Sequence, residues 1–489
     1  TKRARSLLRH RCEQDVLQRY GYSAHDGRSY ATQQLRDAAN GIVIDSSYAS
    51  DQATGGWAVR LRGSNATASQ RVLFYVGHEA SQPTAPTGAL SQFVAGGSSL
   101  AAALGEGGVR IWGTVQQQQQ HDLSSLPSGF SVLALGRSAS GAALRTGTDG
   151  HASEGAVGRI DVNEVALGLV GDSDRAELAQ RAPDGSQLIF VQFETPPSED
   201  WEIDIVLVPA IGGAREAEEE HAAAALRRMS GIALSGLLSA RAESYAAAVD
   251  AMLADDSLRL RGAPLSALAR SFAADVIGSL FGSLGYFYGR SELAGGGATA
   301  AAPLFTVVPS RPFFPRGFLW DEGFHQLVLG VFDAGIADDA LLHWLNLIDG
   351  DGWVAREQIL GAEARAAVPS EFVTQSPEHA NPPALLLRLE RMGDDELAEW
   401  IAGPGRGAWP AIERWYGWLL RTQAGPAEHT YRWRGRDAGD GRLNAMTLAS
   451  GLDDYPRACI VSTAEKHLDL LCWVAFCSRL LARIATALG

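Results

Sequence analysis

Hydrophobic positions change their rhythm once along this chain. Up to about Ala214 they come as short runs at residues 41–45, 57–61, 72–76, 130–135, 188–193 and 203–208, separated by Gly, Ser and Asp. Runs of that length between turn residues predict antiparallel strands, and several in succession predict a β-sandwich. Residues 116–120, all glutamine, fall between two runs and read as a low-complexity loop insertion. From 215 to 254 the composition turns Ala- and Glu-rich, and the segment reads as helix throughout. Beyond it apolar residues recur at helical spacing. Leu268, Phe272, Val276, Leu280 and Leu284 form one stripe, and Trp320, Phe324, Leu327 and Val331 form another. Further helices are expected over 339–348, 383–392, 410–422 and 463–487.

The expected fold class is therefore α+β and multidomain: an N-terminal antiparallel β-sandwich over 1–214, a helical link over 215–260 and an all-α part over 261–489. Helices paired through long Gly- and Pro-rich loops suggest a toroid of helical hairpins. An α-solenoid would give a similar count, but no fixed-period repeat is present. A closed double ring needs about twelve helices and about seven can be placed, so the expectation is an incomplete (α/α)6 toroid with its C-terminal part missing.

Composition narrows the partners. The net charge of −14, from 42 basic and 56 acidic residues, leaves no broad basic surface for a phosphate backbone, which argues against nucleic acid. Cys12, Cys459, Cys472 and Cys477 show no metal-ligand spacing. Asn65-Ala66-Thr67 is an N-glycosylation triplet, which permits a lumenal location without establishing one. No run of about 18 apolar residues is read in the sequence, and the basic start, Thr1 to Arg11, lacks the apolar stretch of a signal peptide.

Chemistry concentrates between Arg311 and Pro383 and again after Ser450. Rings that can lie on a sugar face alternate there with arginines and with carboxylates that can bind hydroxyls or move protons. Arg316, Trp320 and Asp321 sit near an expected helix N-terminus, where the dipole favours a carboxylate. An ordinary helix cap and core packing would account for the same residues. Arg356, Glu357, Glu363, Arg365 and Glu371 mix with Gln358 and Gly361, flanked by Trp353, Phe372 and the rigid Asn381-Pro382-Pro383 turn. Asp453 and Asp454 are adjacent carboxylates in a Gly/Pro-bounded loop with Arg457 nearby. Such a pair can be driven to different pKa values, although an Asx-type turn would use the same residues. Glu465 and Asp469 follow at i and i+4, which on a helix puts both on one face.

The motifs carrying these residues are FFPRGFLWDEGFHQ, GWVAREQILGAEAR, HANPP, YRWRGRD, SGLDDYPR and EKHLDL, with CEQ at Cys12 and HDG at His25 looser companions. In identity and order they resemble glycoside hydrolase family 63, strongly from about Gly278 onward. The resemblance implies an N-terminal β-sandwich, a catalytic (α/α)6 toroid and an inverting mechanism using two carboxylic acids, with no metal or organic cofactor. It implies as substrate the outermost α-1,2-linked glucose of an N-glycan on nascent glycoproteins, in the endoplasmic reticulum. It places the general acid on Asp453 and substrate binding on Glu465 and Asp469. Arg316, Trp320 and Asp321 would hold the terminal glucose, with Glu357 and Asn381 lining the pocket. The family's general base, a Glu in a WEQY-like element, and its membrane anchor have no counterpart in these 489 residues. The expectation is accordingly a truncated chain that hydrolyses nothing by itself; a non-catalytic glycan-binding protein that keeps the pocket is the alternative.

Overall fold

The computed structural model describes residues 16–64, 70–78, 88–93, 99–104, 108–115, 129–143, 145–147, 149–154, 177–181, 187–254, 265–435, 447–452 and 461–488. By contact density the chain divides into two units, residues 1–247 with 266–279, and residues 248–265 with 280–489.

The first unit is built on strands β1 (Arg19–His25), β2 (Tyr30–Asp37), β3 (Ile42–Asp51), β4 (Gly56–Ser64), β5 (Gln70–His78), β6 (Gly88–Phe93), β7 (Val109–Val115), β8 (Gly129–Ser138), β9 (Arg145–Gly147), β10 (Asp149–Glu154), β11 (Glu177–Arg181), β12 (Gln187–Thr195) and β13 (Trp201–Pro209). Eight form an antiparallel sheet in the order β1-β2-β3-β4-β13-β8-β7-β6. A second sheet runs β10-β11-β12-β5, with β9 on β12. It departs from the antiparallel expectation at one point, since β10 and β11 are parallel.

Strand β13 shows how the apolar runs were spent. Its Ile203 and Ile205 enter a cluster with Val109, Ile111, Val132 and Ala134 of the same sheet and Val191 and Phe193 of the other. Its Val206 and Val208 face the opposite way, onto Ala222, Ala223, Ala225 and Leu226 of helix α2 (Arg215–Arg228), beside α1 (Ser99–Leu104). A strand covered on both faces is apolar at successive positions, which is why residues 203–208 read as a continuous run. The exception inside that run is Asp204. It is 1% exposed and ion-paired with Arg60, equally buried, at 2.6 Å. Its Oδ2 also accepts the Gly231 N–H at 2.8 Å, and Arg60 donates to the Gly231 carbonyl and the Ser235 hydroxyl. The start of α3 (Gly231–Ala254) is thereby anchored to the sheet. At the HDG motif, Asp26 accepts three backbone N–H groups, from Arg28, Ser29 and Tyr30, and closes the turn between β1 and β2.

Helix α4 (Ala267–Phe281) corrects one expectation. Its stripe Leu268, Phe272 and Val276 faces outward at 81%, 68% and 48% exposure, while Ile277 and Phe281 are buried. Gly278 sets that choice: its backbone lies so close to Ala24 that a Cβ would fall 2.9 Å from the Ala24 Cα.

The second unit holds a hairpin, β14 (Leu284–Gly289) with β15 (Ala302–Val307), and a two-residue ladder, β16 (Gly317–Phe318) with β17 (Glu357–Gln358). Its longer helices are α5 (Leu319–Phe332), α6 (Ala334–Leu345), α7 (Asp394–Ala402), α8 (Trp409–Thr422) and α9 (Leu468–Leu488). Helices occur near 339–348, 410–422 and 463–487 as periodicity placed them, whereas 383–392 holds only a short helix, Leu387–Arg391. The hairpin and the ladder correct the all-α expectation, and Leu284, counted in the first helical stripe, lies in β14. The core is rich in tryptophan: Trp344, Trp353, Trp400, Trp415, Trp418 and Trp433 share one cluster.

Two further readings of this unit need correcting. On α5 the expected apolar stripe is not the buried one, because Leu319, Glu322, Gly323, Gln326 and Leu329 point inward and Phe324 is 43% exposed. A polar inward face is tolerated because Glu322 accepts from the Thr306 hydroxyl, the Val307 N–H and the Gln326 amide, which satisfies the buried carboxylate. The second concerns α9, which by length and composition alone could cross a membrane, contrary to the search for apolar runs. Within the fold it buries Leu470, Val474, Cys477, Leu480 and Ile484 in the tryptophan-rich core and pairs Arg479 and Arg483 with Glu390 and Asp394.

Candidate active site

The short β16–β17 ladder brings together residues distant in sequence: Phe318 pairs with Glu357 across it, and Arg316, 41 residues before Glu357, lies just ahead. Arg316 Nε and Nη2 each sit 2.8 Å from Glu357 Oε2, and Arg356 bonds the other carboxylate oxygen. The Arg316 guanidinium lies over both the Phe314 and Phe318 rings, 5.5 and 4.8 Å from their centroids. Both members of the pair are buried, and an ion pair taken out of water holds only while both partners remain. Arg316 Nη1 is also buried and has no hydrogen-bond partner among the described residues. Such an N–H costs stability unless something else accepts from it.

Trp320 and Asp321 stand in the first turn of α5, whose own N-cap, Phe318, offers no side-chain bond. The cap comes from elsewhere in the chain: Asn381 Oδ1 accepts the Trp320 N–H at 2.9 Å, and Asn381 Nδ2 donates to the Ala449 carbonyl at 3.0 Å. Asn381 is therefore a strut, buried between the helix start and the loop that leads toward Asp453. That loop comes down on the Trp320 ring at Gly451, where a Cβ would fall 2.5 Å from the indole and φ is +76°. Only glycine fits there at low cost, both for its conformation and for the ring. Asp453, like Asp454 and Arg457, lies outside the described residues.

Glu465 and Asp469 are not on one helical face, because α9 begins at Leu468 and leaves Glu465 in the preceding turn. They are brought together differently. Asp469 Oδ2 accepts the Trp433 indole N–H at 3.0 Å, and Glu465 is bonded to Ser462 N and to His467 Nε2 at 2.9 and 3.0 Å. Gln423, fully buried, joins this group to the segment before Asn381: its amide donates to the Glu378 carbonyl and accepts the Arg434 N–H.

Sequence reasoning missed Glu322, Gln423, Trp433 and His467. Trp433 and His467 lay inside quoted motifs, but their role depends on hydrogen bonds across 34 residues, which spacing does not reveal. The neighbourhood offers what a sugar requires: rings, a cation with a spare N–H, and carboxylates held in place by hydrogen bonds.

Comparison with known proteins agrees in kind. The description "Glycosyl hydrolase family 63 C-terminal domain" matches residues 238–489, and the corresponding N-terminal domain matches residues 1–126. A mannosyl-oligosaccharide glucosidase of Arabidopsis thaliana is 32% identical over 99% of this chain and 56% of its own length. Alpha-glucosidase 2 of the same plant is 29% identical over 97% of this chain and 59% of its own. The mannosyl-oligosaccharide glucosidase of Saccharomyces cerevisiae is 35% identical over 45% of this chain. The chain thus spans somewhat more than half the length of the plant relatives.

Proposed function

The chain belongs to glycosyl hydrolase family 63, and from that premise we propose that it serves a glucosidase that trims glucose from N-glycans on glycoproteins. The finer reading is an inverting exo-enzyme acting on the terminal α-1,2-linked glucose in the lumen of the endoplasmic reticulum. In architecture it corresponds to a β-sandwich over about 1–214, a helical link to 260 and the helices of an (α/α)6 toroid from 261.

One observation supports the reading: Gly451, two residues ahead of Asp453 in sequence, packs on the ring of Trp320, the tryptophan that would stack on the sugar. In this assignment Trp320 receives a glucose face, while Asp321 and the spare Arg316 N–H bind its hydroxyls. Glu357 keeps the guanidinium oriented, and Asn381 holds the α5 start against the loop. Glu465 and Asp469 accept hydroxyls from the next part of the glycan. Asp453 donates a proton to the glycosidic oxygen as the C–O bond breaks, and a water on the opposite face of the ring, activated by a carboxylate about 6.5–9.5 Å away, completes the inversion.

The test is glucose release from a triglucosylated glycan by the intact protein and its Asp453→Asn variant. Loss of about a thousandfold or more in kcat is expected of a missing general acid. Undiminished turnover would reject the assignment.

A further inference from the structure

We propose that His467 and Trp433 are positioning residues that fix the Glu465 and Asp469 carboxylates, an inference that rests on the substrate-binding reading of that pair. His467 is buried, and its Nδ1 receives the Trp433 backbone N–H at 3.0 Å. A nitrogen that accepts a hydrogen bond carries a lone pair, so in the neutral ring the proton resides on Nε2. That nitrogen is 3.0 Å from Glu465 Oε2 and donates to it, while Oε1 takes the Ser462 N–H. With both oxygens engaged the carboxylate cannot swing about its own axis. The restraint is needed because Glu465 precedes α9 and receives no orientation from the helix.

Trp433 acts on both acids. Its main chain orients Glu465 through His467, and its indole N–H donates directly to Asp469 Oδ2 at 3.0 Å. Its own placement is fixed from either side, since Arg432 N donates to the Gln423 carbonyl and Arg434 N to the Gln423 side chain. His467 completes the frame by donating its N–H to the Tyr431 carbonyl and accepting the Leu471 N–H, one turn into α9. The spacing between the two acids is therefore set by the Tyr431 to Arg434 segment and not by helix periodicity.

The experiment compares His467→Gln, whose amide reaches the position of ring Nε2 and keeps the donor to Glu465, with His467→Ala, which has none. With the triglucosylated glycan and the intact protein, the alanine variant should raise KM by about tenfold with kcat little changed, as loss of uniform binding does. The glutamine variant should stay within about threefold of wild type in KM. Equal losses in the two variants, or a loss confined to kcat, would overturn the proposal. A second readout does not depend on activity. In wild-type protein carrying 15N-histidine, the His467 signal, identified by its absence from His467→Gln, should show the Nε2–H tautomer at neutral pH. An Nδ1–H tautomer would overturn the proposal. If the wild type releases no glucose, the glucosidase reading fails and the tautomer alone decides on His467.

Discussion

The two units put their apolar residues to different uses. In the first, runs read from the sequence become strands whose side chains enter the core, and β13 is apolar at successive positions because both its faces are covered. In the second, the stripe on α5 turns partly outward, with Trp320 and Phe324 edge to face at 5.2 Å, and the core receives Glu322 and Gln326 instead. An apolar residue kept from the core is available to a ligand, and polar residues can replace it inside only when each finds a partner. The contrast separates a scaffold from a site.

The largest effects should come from the two buried ion pairs, which differ in what they support. Glu357→Ala leaves Arg316 buried without its carboxylate and should cost about 3–5 kcal/mol by chemical denaturation; Asp204→Ala leaves Arg60 only the partly exposed Glu202, at 3.1 Å, and should fall toward the lower end of that range. Asp204→Ala should nevertheless spare KM in whatever protein still folds, whereas Glu357→Ala should raise it. Equal effects on KM would erase the distinction between scaffold and site.

Helix α4 sharpens the same comparison. Phe281, fully buried and packed against Phe332 at 4.6 Å, should cost about 3–5 kcal/mol when cut to alanine. Phe272→Ser, on the stripe that periodicity assigned to the core, should change stability by only about 0.5 kcal/mol. A large loss at Phe272 would restore the reading from periodicity and contradict the observed face.

Those cases show how far the sequence could be read. Helix positions were legible because 3.6-residue spacing is local, and strand runs because a doubly covered strand is apolar throughout. Which face of a helix is buried was not legible on α4 or α5. There the choice rests on long-range contacts, Gly278 against Ala24 and Gly323 against Ala384, that leave no periodic trace. The candidate residues Arg316 and Glu357 were legible as chemistry, but not their pairing, because a two-residue ladder is too short to announce itself. For Asn381, expected to line the pocket, the bonds to Trp320 and Ala449 that make it a strut were not legible, because they span 61 and 68 residues.

Smaller effects concern titration and reactivity. In the first unit the Arg228 guanidinium, bonded to Asp51 at 2.9 Å, holds that carboxyl below its ordinary range despite the opposing effect of burial. A depressed carboxylate stabilises the fold above its unfolded pKa, about 3.9, and that contribution is lost as pH falls through the lower folded value. Asp51→Asn should therefore lessen the dependence of stability on pH in that acid window and leave it unchanged near neutrality. In the second unit Cys477 is buried and its thiol is pushed up to about 12 by desolvation, whereas Cys472 is exposed on the same helix. A maleimide should label Cys472 readily under native conditions and reach Cys477 only after unfolding. Equal labelling would mean that α9 does not pack as described.

The central claim is that Trp320, the spare N–H of Arg316 and Asp453 serve one glucose. The direct measurement is a crystal structure of the protein with a glucose-terminated glycan bound. The account predicts a sugar ring on the Trp320 face, a hydroxyl within hydrogen-bond distance of Arg316 Nη1, and the Asp453 carboxyl at the glycosidic oxygen. A glycan bound elsewhere, or Asp453 turned away from that sugar, would contradict it.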